Sequence, residues 1–471
     1  MRNRNRFKLF AAAAALLVAA CATPSKPQQS PLIDTPPVWI HLPDTVEAAN
    51  KAAPLVTSTA AEVEHDWWKN FGDSTLDALV KDALSNNRTL AVAKARVEEA
   101  RANRTFARAS LLPEVNAAGS LSRTNQGVLT ANRVVNIAEA DIQASWEVDL
   151  FGRNQARAAE AAAILESEEA GAQAVRVALL AEVARNYFDL RNFERQLILT
   201  RQNLETQQKT LELTQVQLQG GYSSDFDVQR AAAQVSTTQA LIPDLQAAYD
   251  GAVTRLNILL GYPPGSKDAL LKTAQELKPL DAGIVVAAPA TVLATRPDIR
   301  VAERRFAASM SAKDAATAEL FPDISLTAFF GLQGATGLSA TPWGLGANLV
   351  QPILNFGRIQ SQIDATDARQ RQAFLNYQQA VLEALGDMED ALSHYLQENA
   401  RNASLSAAVG QTRKAEDLAM QQYGNGFTSL LDLLVVQRNL LDAEANQTAS
   451  DANLRKDLVA IYTAAGGGWK E

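Results

Sequence analysis

Cysteine occurs once in this chain of 471 residues, at Cys21, and histidine three times, at His41, His65 and His394. A single cysteine excludes any disulfide within the chain, and the scattered histidines leave no zinc-ligand spacing. The patterns HExxH, GxSxG, GxGxxG and the Walker loop are missing too, so neither enzyme activity nor a resident metal or organic cofactor is expected. The stretch "GLQGATG" (331–337) has the glycines of a phosphate loop. It lacks the Lys-Ser/Thr that should follow and lies between strand patterns, which favours a surface loop.

Chain breakers are sparse. The 24 glycines and 17 prolines, set among recurrent alanine runs, favour long helices over a loop-rich fold. Beyond the N-terminus no continuous apolar run reaches the length of a transmembrane helix, so any membrane span would have to be β-structure. Bases number 44 against 52 acids, and an acidic chain of this kind is a poor partner for nucleic acid.

What is present begins with a leader. "MRNRNRFKLFAAAAALLVAACATPS" opens with Arg2, Arg4, Arg6 and Lys8, then runs apolar from Leu9 to Ala20, too short to cross a bilayer. Residues 1–20 read as an export signal. Val18-Ala19-Ala20-Cys21 has the residue sizes and spacing of a bacterial lipobox, after which Cys21 would carry diacylglycerol and palmitate. An ordinary signal peptide with an incidental cysteine is the alternative. Ala22, where an aspartate would retain a lipoprotein at the inner membrane, favours the outer one. Loss of residues 1–20 removes four bases and no acids, which takes the formal charge from −8 to −12.

The chain then repeats itself. "LLPEVNAAGSLSRT" (111–124) resembles "LFPDISLTAFFGLQ" (320–333), and "VDLFGRNQARAAEA" (148–161) resembles "PILNFGRIQSQIDA" (352–365). The stretch Gly221 to Asp227 matches Gly426 to Asp432. The offsets of 205 to 209 agree closely enough to indicate two copies of one unit of about 200 residues. The expected division is 1–20 signal peptide, 21–70 lipidated N-terminal segment, 71–261 first repeat, 262–294 linker, 295–465 second repeat and 466–471 tail.

Within each copy a helix comes first (about 73–111 and 296–319), stopped at Pro113 and Pro322. Alternating segments follow. From Ala138 to Leu150 apolar residues alternate strictly with polar ones, among them Glu139, Asp141, Glu147 and Asp149, the pattern of a strand with one apolar and one acidic face. Ile324 to Leu332 alternates less cleanly, with "WGLGANLVQPIL" as its weaker partner. Trp146, Phe329, Phe330 and Trp343 are candidates for an interfacial aromatic belt, or for helix–sheet packing. Two hairpins give four strands, too few to close a barrel, so strands lying in a membrane would have to be shared among several chains.

Residues 153–219 contain no proline and as one helix would reach about 100 Å. Leu190, Leu197, Leu204, Leu211 and Leu218 recur along it at the coiled-coil period. The run 357–422 is its counterpart, and shorter return helices (225–260, 428–465) follow glycine turns at Gly220, Gly221, Gly424 and Gly426.

Taken together, Cys21, "SWEVDLFGR" (145–153), "GYSSDFDV" (221–228), "TRPDIRVAERR" (295–305), "LFPDISL" (320–326), "GFTSLLDLLVVQR" (426–438) and the terminal "GGGW" (466–469) resemble the outer-membrane efflux factor family, the TolC-like channel-tunnels and especially their OprM/NodT-type lipoproteins. The resemblance implies a mainly α fold with membrane β-structure. Long coiled-coil hairpins and four strands per chain would be shared in a homotrimer with a twelve-stranded outer-membrane barrel and a periplasmic helical tunnel. It implies a periplasmic adaptor and an inner-membrane pump of the resistance-nodulation-division class as partners, and a passive duct for drugs or other small toxic compounds as the function. Type I protein secretion, metal efflux or a non-channel periplasmic coiled-coil lipoprotein are the alternatives. Glu139, Asp141, Glu147 and Asp149 would then face the lumen.

Asp432 stands in the apolar run "LLDLLVV" and Asp227 follows the equivalent glycine turn. In a trimer the helix tips would bring these acids together as a periplasmic gate, with Tyr423 and Thr428 beside them. The local alternative is helix capping by Ser429 or Asp432 and by Ser224 or Asp225.

Overall fold

A computed structural model describes residues 35–41, 55–58, 63–125, 134–273, 277–278, 284–335 and 338–469. Helix dominates, and the three long helices of the first copy recur in the second. In the first copy α1 (Ser74–Asn86), α2 (Arg88–Ala109), α3 (Arg153–Gln219) and α4 (Asp225–Leu259) follow a short 3-10 turn at Trp67–Phe71. After the small α5 (Asp268–Leu271) and α6 (Pro289–Thr295), the second copy supplies α7 (Pro297–Ala318), α8 (Arg358–Gly424) and α9 (Leu430–Ala464). The counterparts have equal lengths: 22 residues for α2 and α7, 67 for α3 and α8, 35 for α4 and α9. Duplication fixed these lengths together, and no helix of the described residues is long and apolar enough to cross a membrane.

Two boundaries differ from the sequence expectation. The single helix expected at 73–111 is broken at Asn87, whose extended backbone ends α1 and whose side-chain oxygen accepts from the Leu90 amide to start α2. The prolines do not themselves terminate α2 and α7. Both helices stop earlier, at Ala109 and Ala318, and tighten into i→i+3 turns such as Leu112 N–H to Ala109 O and Leu320 N–H to Thr317 O before Pro113 and Pro322.

Residues Glu98–Ser167 and Ala302–Gln378 belong to one compact unit. Its sheet runs β2 (Glu114–Thr124), β3 (Val135–Glu147), β5 (Asp323–Ala335), all antiparallel, and the far side of β5 pairs with β6 (Leu338–Ala340) and β7 (Trp343–Val350). β6 and β7 are two pieces of one return strand interrupted at Pro342, which has no N–H to give the ladder; its carbonyl accepts from Gly331 instead. The strand expected at 138–150 is shifted. β3 stops at Glu147, and Asp149 accepts from the Gln155 amide at the start of α3.

Register decides the faces. Opposed pairs in an antiparallel ladder share a face, so Leu121, Ala138, Ala140, Ile142, Phe330, Leu332, Trp343 and Leu345 fall together. This apolar face is open: Leu121 is 89% exposed, Leu345 80% and Trp343 70%. The opposite face carries Ser120, Glu139, Asp141, Gln143 and Gln333. Phe329 falls on that polar face, opposite Gln143 and Gly344, so it leaves the proposed aromatic belt. A Cβ at Gly344 would sit 2.5 Å from the Phe329 ring, so the glycine makes room for it.

The second unit comprises Thr35–Val97, Glu168–Val301 and Gln379–Glu471. In it β1 (Leu55–Ser58) pairs in parallel with β4 (Ile284–Ala287). Trp67 is fully buried and stacks on Tyr462 at 5.5 Å, while the Trp39 indole donates to the Ala287 carbonyl. Arg296, from the "TRPDIR" stretch, fastens this core. Its guanidinium donates to Asp298, Asp387 and the carbonyls of Ala384 and Ala464, joining the α6–α7 junction to α8 and α9. Burial alone would raise the Asp298 carboxyl, but the Arg296 cation holds it below its ordinary value. Arg296→Met should lower the thermal midpoint of the detergent-solubilised protein by several degrees, on about 2 kcal/mol of lost charge-assisted bonds. A midpoint equal to the parent's would remove Arg296 from this role.

Candidate functional site

Two places carry the residues singled out from sequence. The first is the polar face of the sheet. Glu139 accepts from Gln333 Nε2 at 2.6 Å and from Ser120 Oγ at 3.2 Å, a bridge across three strands. Asp141 lies two residues on, on the same face, opposite Gly331. Glu147 is already engaged: Arg153 Nη2 contacts it at 2.6 Å and Asn154 donates to it at 3.0 Å, while Arg153 Nη1 reaches Asp323. Asp149 lies beyond the strand. Of the four acids, Glu139 and Asp141 alone stand on the ladder without a cationic partner within ion-pair distance among the described residues.

The second place is the pair of helix tips. At the first, the Tyr222 amide donates to Gln217 O at 2.8 Å and the Gly221 amide to Leu218 O at 3.0 Å. At the second, Phe427 donates to Gln422 O at 2.8 Å and Gly426 to Tyr423 O at 3.0 Å. Each is a Schellman ending, which needs a left-handed residue; Gly221 and Gly426 supply it with φ of 78° and 77°. Gly220 and Gly424, the other glycines expected in these turns, do not have positive φ.

The return helices begin alike. Ser224 caps α4: its hydroxyl accepts from the Asp227 amide, and Asp227 Oδ2 accepts from the Ser224 amide at 3.2 Å and hydroxyl at 2.7 Å. Ser429 caps α9, and Asp432 Oδ2 accepts from its hydroxyl at 2.6 Å and from Thr428 at 3.4 Å. Asp432 is exposed, so it carries no desolvation penalty; only Leu430 and Leu433 of its apolar run are buried. Tyr423 is not on an open surface of the tip. It is buried with Ala231, Leu430 and Leu433, its hydroxyl 2.8 Å from Thr214 Oγ1, and burial raises its pKa. Tyr222 and Phe427, which occupy equivalent positions in the two copies, are instead 88% and 83% exposed.

A polar seam joining the two repeats went unread in the sequence. Gln437 donates to Thr210 at 3.0 Å, and Glu444 accepts from Asn203 at 2.8 Å and from Arg413. Thr200, Asn203, Gln207, Thr210 and Thr214 recur three and four residues apart, a stripe beside the leucine heptad that signals the contact. The leucines themselves are buried at Leu190 and Leu197 and half-buried from Leu204 on.

The Ser224 hydroxyl, with its amide and Ser223 adding, holds the Asp227 carboxyl below its ordinary value. A depressed pKa means that the cap's contribution is present above the ordinary carboxylate value and is lost as pH falls through the depressed one. Amide exchange over residues 227–232, corrected for intrinsic rate, should therefore rise in acid, and Asp227→Ala should raise it about fivefold at pH 7. Parental protection in that variant would show that the cap does not set local stability.

The chain as a whole is similar to known proteins. A profile of the family described as "Outer membrane efflux protein" matches residues 79–262 and 288–467. The chain is 30% identical to nodulation protein T of Rhizobium leguminosarum bv. viciae over 98% of its own length and 94% of that protein's. It is 30% identical to the pyoverdine export outer membrane protein OpmQ of Pseudomonas aeruginosa, with 97% and 96% covered. Its fold superposes on the outer-membrane channel OprN with a TM-score of 0.83 at 32% identity, covering 94% of this chain and 99% of that one. A mainly helical chain whose sheet has one open apolar face and one polar face, matched over nearly its whole length, is a member of the outer membrane efflux protein family and an outer-membrane efflux channel protein.

Proposed function

We propose that three copies of the chain close one twelve-stranded barrel and conduct small toxic compounds, drugs among them, from a periplasmic adaptor and an inner-membrane pump of the resistance-nodulation-division class to the exterior. The sheet carries the proposal: β2 and the β6/β7 strand are left as edges within one chain, and the exposed apolar face suits lipid. Three copies satisfy both demands, because each edge then meets its complement. The polar face becomes the lumen, with Glu139 and Asp141 repeated three times. The chain is passive and the pump supplies the energy.

Cys21, which lies outside the described residues, would carry the lipid that holds the N-terminus at the membrane. The adaptor would meet the helix tips, where Tyr222, Phe226, Phe427 and Leu431 leave apolar side chains uncovered. At those tips the three copies of Asp432, with Asp227 and Thr428 nearby, would form a ring of carboxylates that narrows the duct. Tyr423 would act on that ring only through the wall, by its bond to Thr214.

Planar-bilayer recording tests both parts. The open channel should prefer cations, and Glu139→Gln should reduce that preference; anion selectivity would overturn the lumen assignment. Asp432→Ala should increase leak through the isolated trimer, whereas unchanged conductance with a lower melting temperature would leave Asp432 as a cap alone.

A further inference from the structure

We propose that the sheet edges of two neighbouring copies meet in one register, with Asn348 of β7 opposite Ser120 of β2, and that an Arg358–Glu114 ion pair closes the joint beyond the strands. The inference rests on the three-copy reading and assigns the contacts that reading leaves open. Duplication supplies the measure. Shifting β2 by 209 residues and β3 by 205 carries the pair Glu114–Ser145 onto Asp323–Val350, so the two hairpins keep the same internal register. The β3–β5 ladder then records, within one chain, how the end of one hairpin meets the start of the next. Between chains the same encounter is between β7, which ends the second hairpin, and β2, which starts the first. The same shifts carry Gln143–Phe329 onto Asn348–Ser120, and Ile142–Phe330 onto Ala347–Leu121. Faces are preserved: Ala347 and Leu121 both lie on the apolar face, Asn348 and Ser120 both on the polar one. A slip of one residue would set apolar against polar along the whole joint.

Beyond the strands, the junction inside the chain is held at three points. The Val148 amide donates to the Ile324 carbonyl at 2.8 Å, Phe151 stacks on Phe321 at 4.8 Å, and Arg153 Nη1 lies 3.1 Å from Asp323 Oδ1. By the same shifts the equivalents are Ile353 with Val115, Phe356 with Leu112, and Arg358 with Glu114. All six are exposed in the single chain, Phe356 at 91% and Leu112 at 68%. Arg153 holds two acids, whereas neither Arg358 nor Glu114 has an ion-pair partner among the described residues. Phe356 has a φ of 50°, a conformation costly for a bulky residue, and contact with Leu112 offsets that cost. Each half of the joint therefore carries what the other lacks.

The competing account leaves Ile353, Leu354 and Phe356 against lipid head groups with no protein partner. Oxidative cross-linking of the full-length, detergent-solubilised protein, read beside its native mass, separates the two. Asn348→Cys combined with Ser120→Cys should give disulfide-linked dimers and trimers on denaturing gels, because opposed residues lie about 5 Å apart. Asn348→Cys combined with Ser122→Cys, a slip of two, should stay unlinked at about 7 Å or more. Arg358→Glu should lower the temperature at which the trimer dissociates by a few degrees, and adding Glu114→Lys should restore it. Absent linkage of the Ser120 pair, linkage of the Ser122 pair in its place, or a charge swap that restores nothing would overturn the assignment, while a trimeric native mass left the three-copy reading standing. A monomeric native mass would overturn both.

Discussion

The constraint on which the rest depends is that this sheet cannot be completed by one chain. Among the described residues its interior strands β3 and β5 are paired on both sides, whereas β2 and the β6/β7 strand are paired on one. A row of free backbone donors and acceptors beside an open apolar face would be a liability in water and would be intolerable in hydrocarbon. Either condition alone has local remedies, such as a covering helix or a charged edge residue. Both together, with Glu139 and Asp141 confined to the other face, leave closure with further copies as the arrangement that satisfies backbone and side chains at once.

The helices follow from duplication in a more literal way. Equal lengths of 67 and 35 residues recur in the two copies, and both tips use the same chemistry: a Schellman ending, a left-handed glycine, a serine cap and an aspartate at the third helical position. The aspartates then have a local task before any assembly is considered. Any further task as a carboxylate ring must be compatible with the hydroxyl bonds that already orient Asp227 and Asp432. That compatibility is real, since a carboxylate offers about four acceptor sites and the cap occupies only one oxygen.

Much of this was legible in the sequence because it rested on period and repetition. The alternation in 138–147 fixed the acidic and apolar faces, and the proline-free span fixed the single long helix through Gly171. What failed to show depended on contacts distant along the chain. Nothing local distinguishes Phe329 from Phe330; only the pairing with Gln143 and Gly344 assigns them to opposite faces. Tyr423 looked like a tip residue by position, yet it turns inward to Thr214, 209 residues away. The break at Asn87 was hidden because its cap function mimics an ordinary polar helix residue. Asp432 stands inside an apolar run and is still exposed, because a helix buries only one face of such a run.

The polar seam then explains why only the first two leucines of the heptad are fully buried. Near the parallel strand pair, Tyr187, Phe188 and Leu190 belong to a continuous apolar core. At the tip a small cluster of Tyr423, Leu430 and Leu433 is apolar again. Between them the repeats meet through Gln437–Thr210 and Glu444–Asn203, bonds that fix register by direction and gain little free energy over water. An all-leucine seam would hold the hairpins as firmly in the middle as at the core, and slipping by a heptad would cost it little. The mixed seam instead sets one register between the two hairpins. At the tips the Tyr423 cluster and the serine caps, rather than this seam, hold the helix ends.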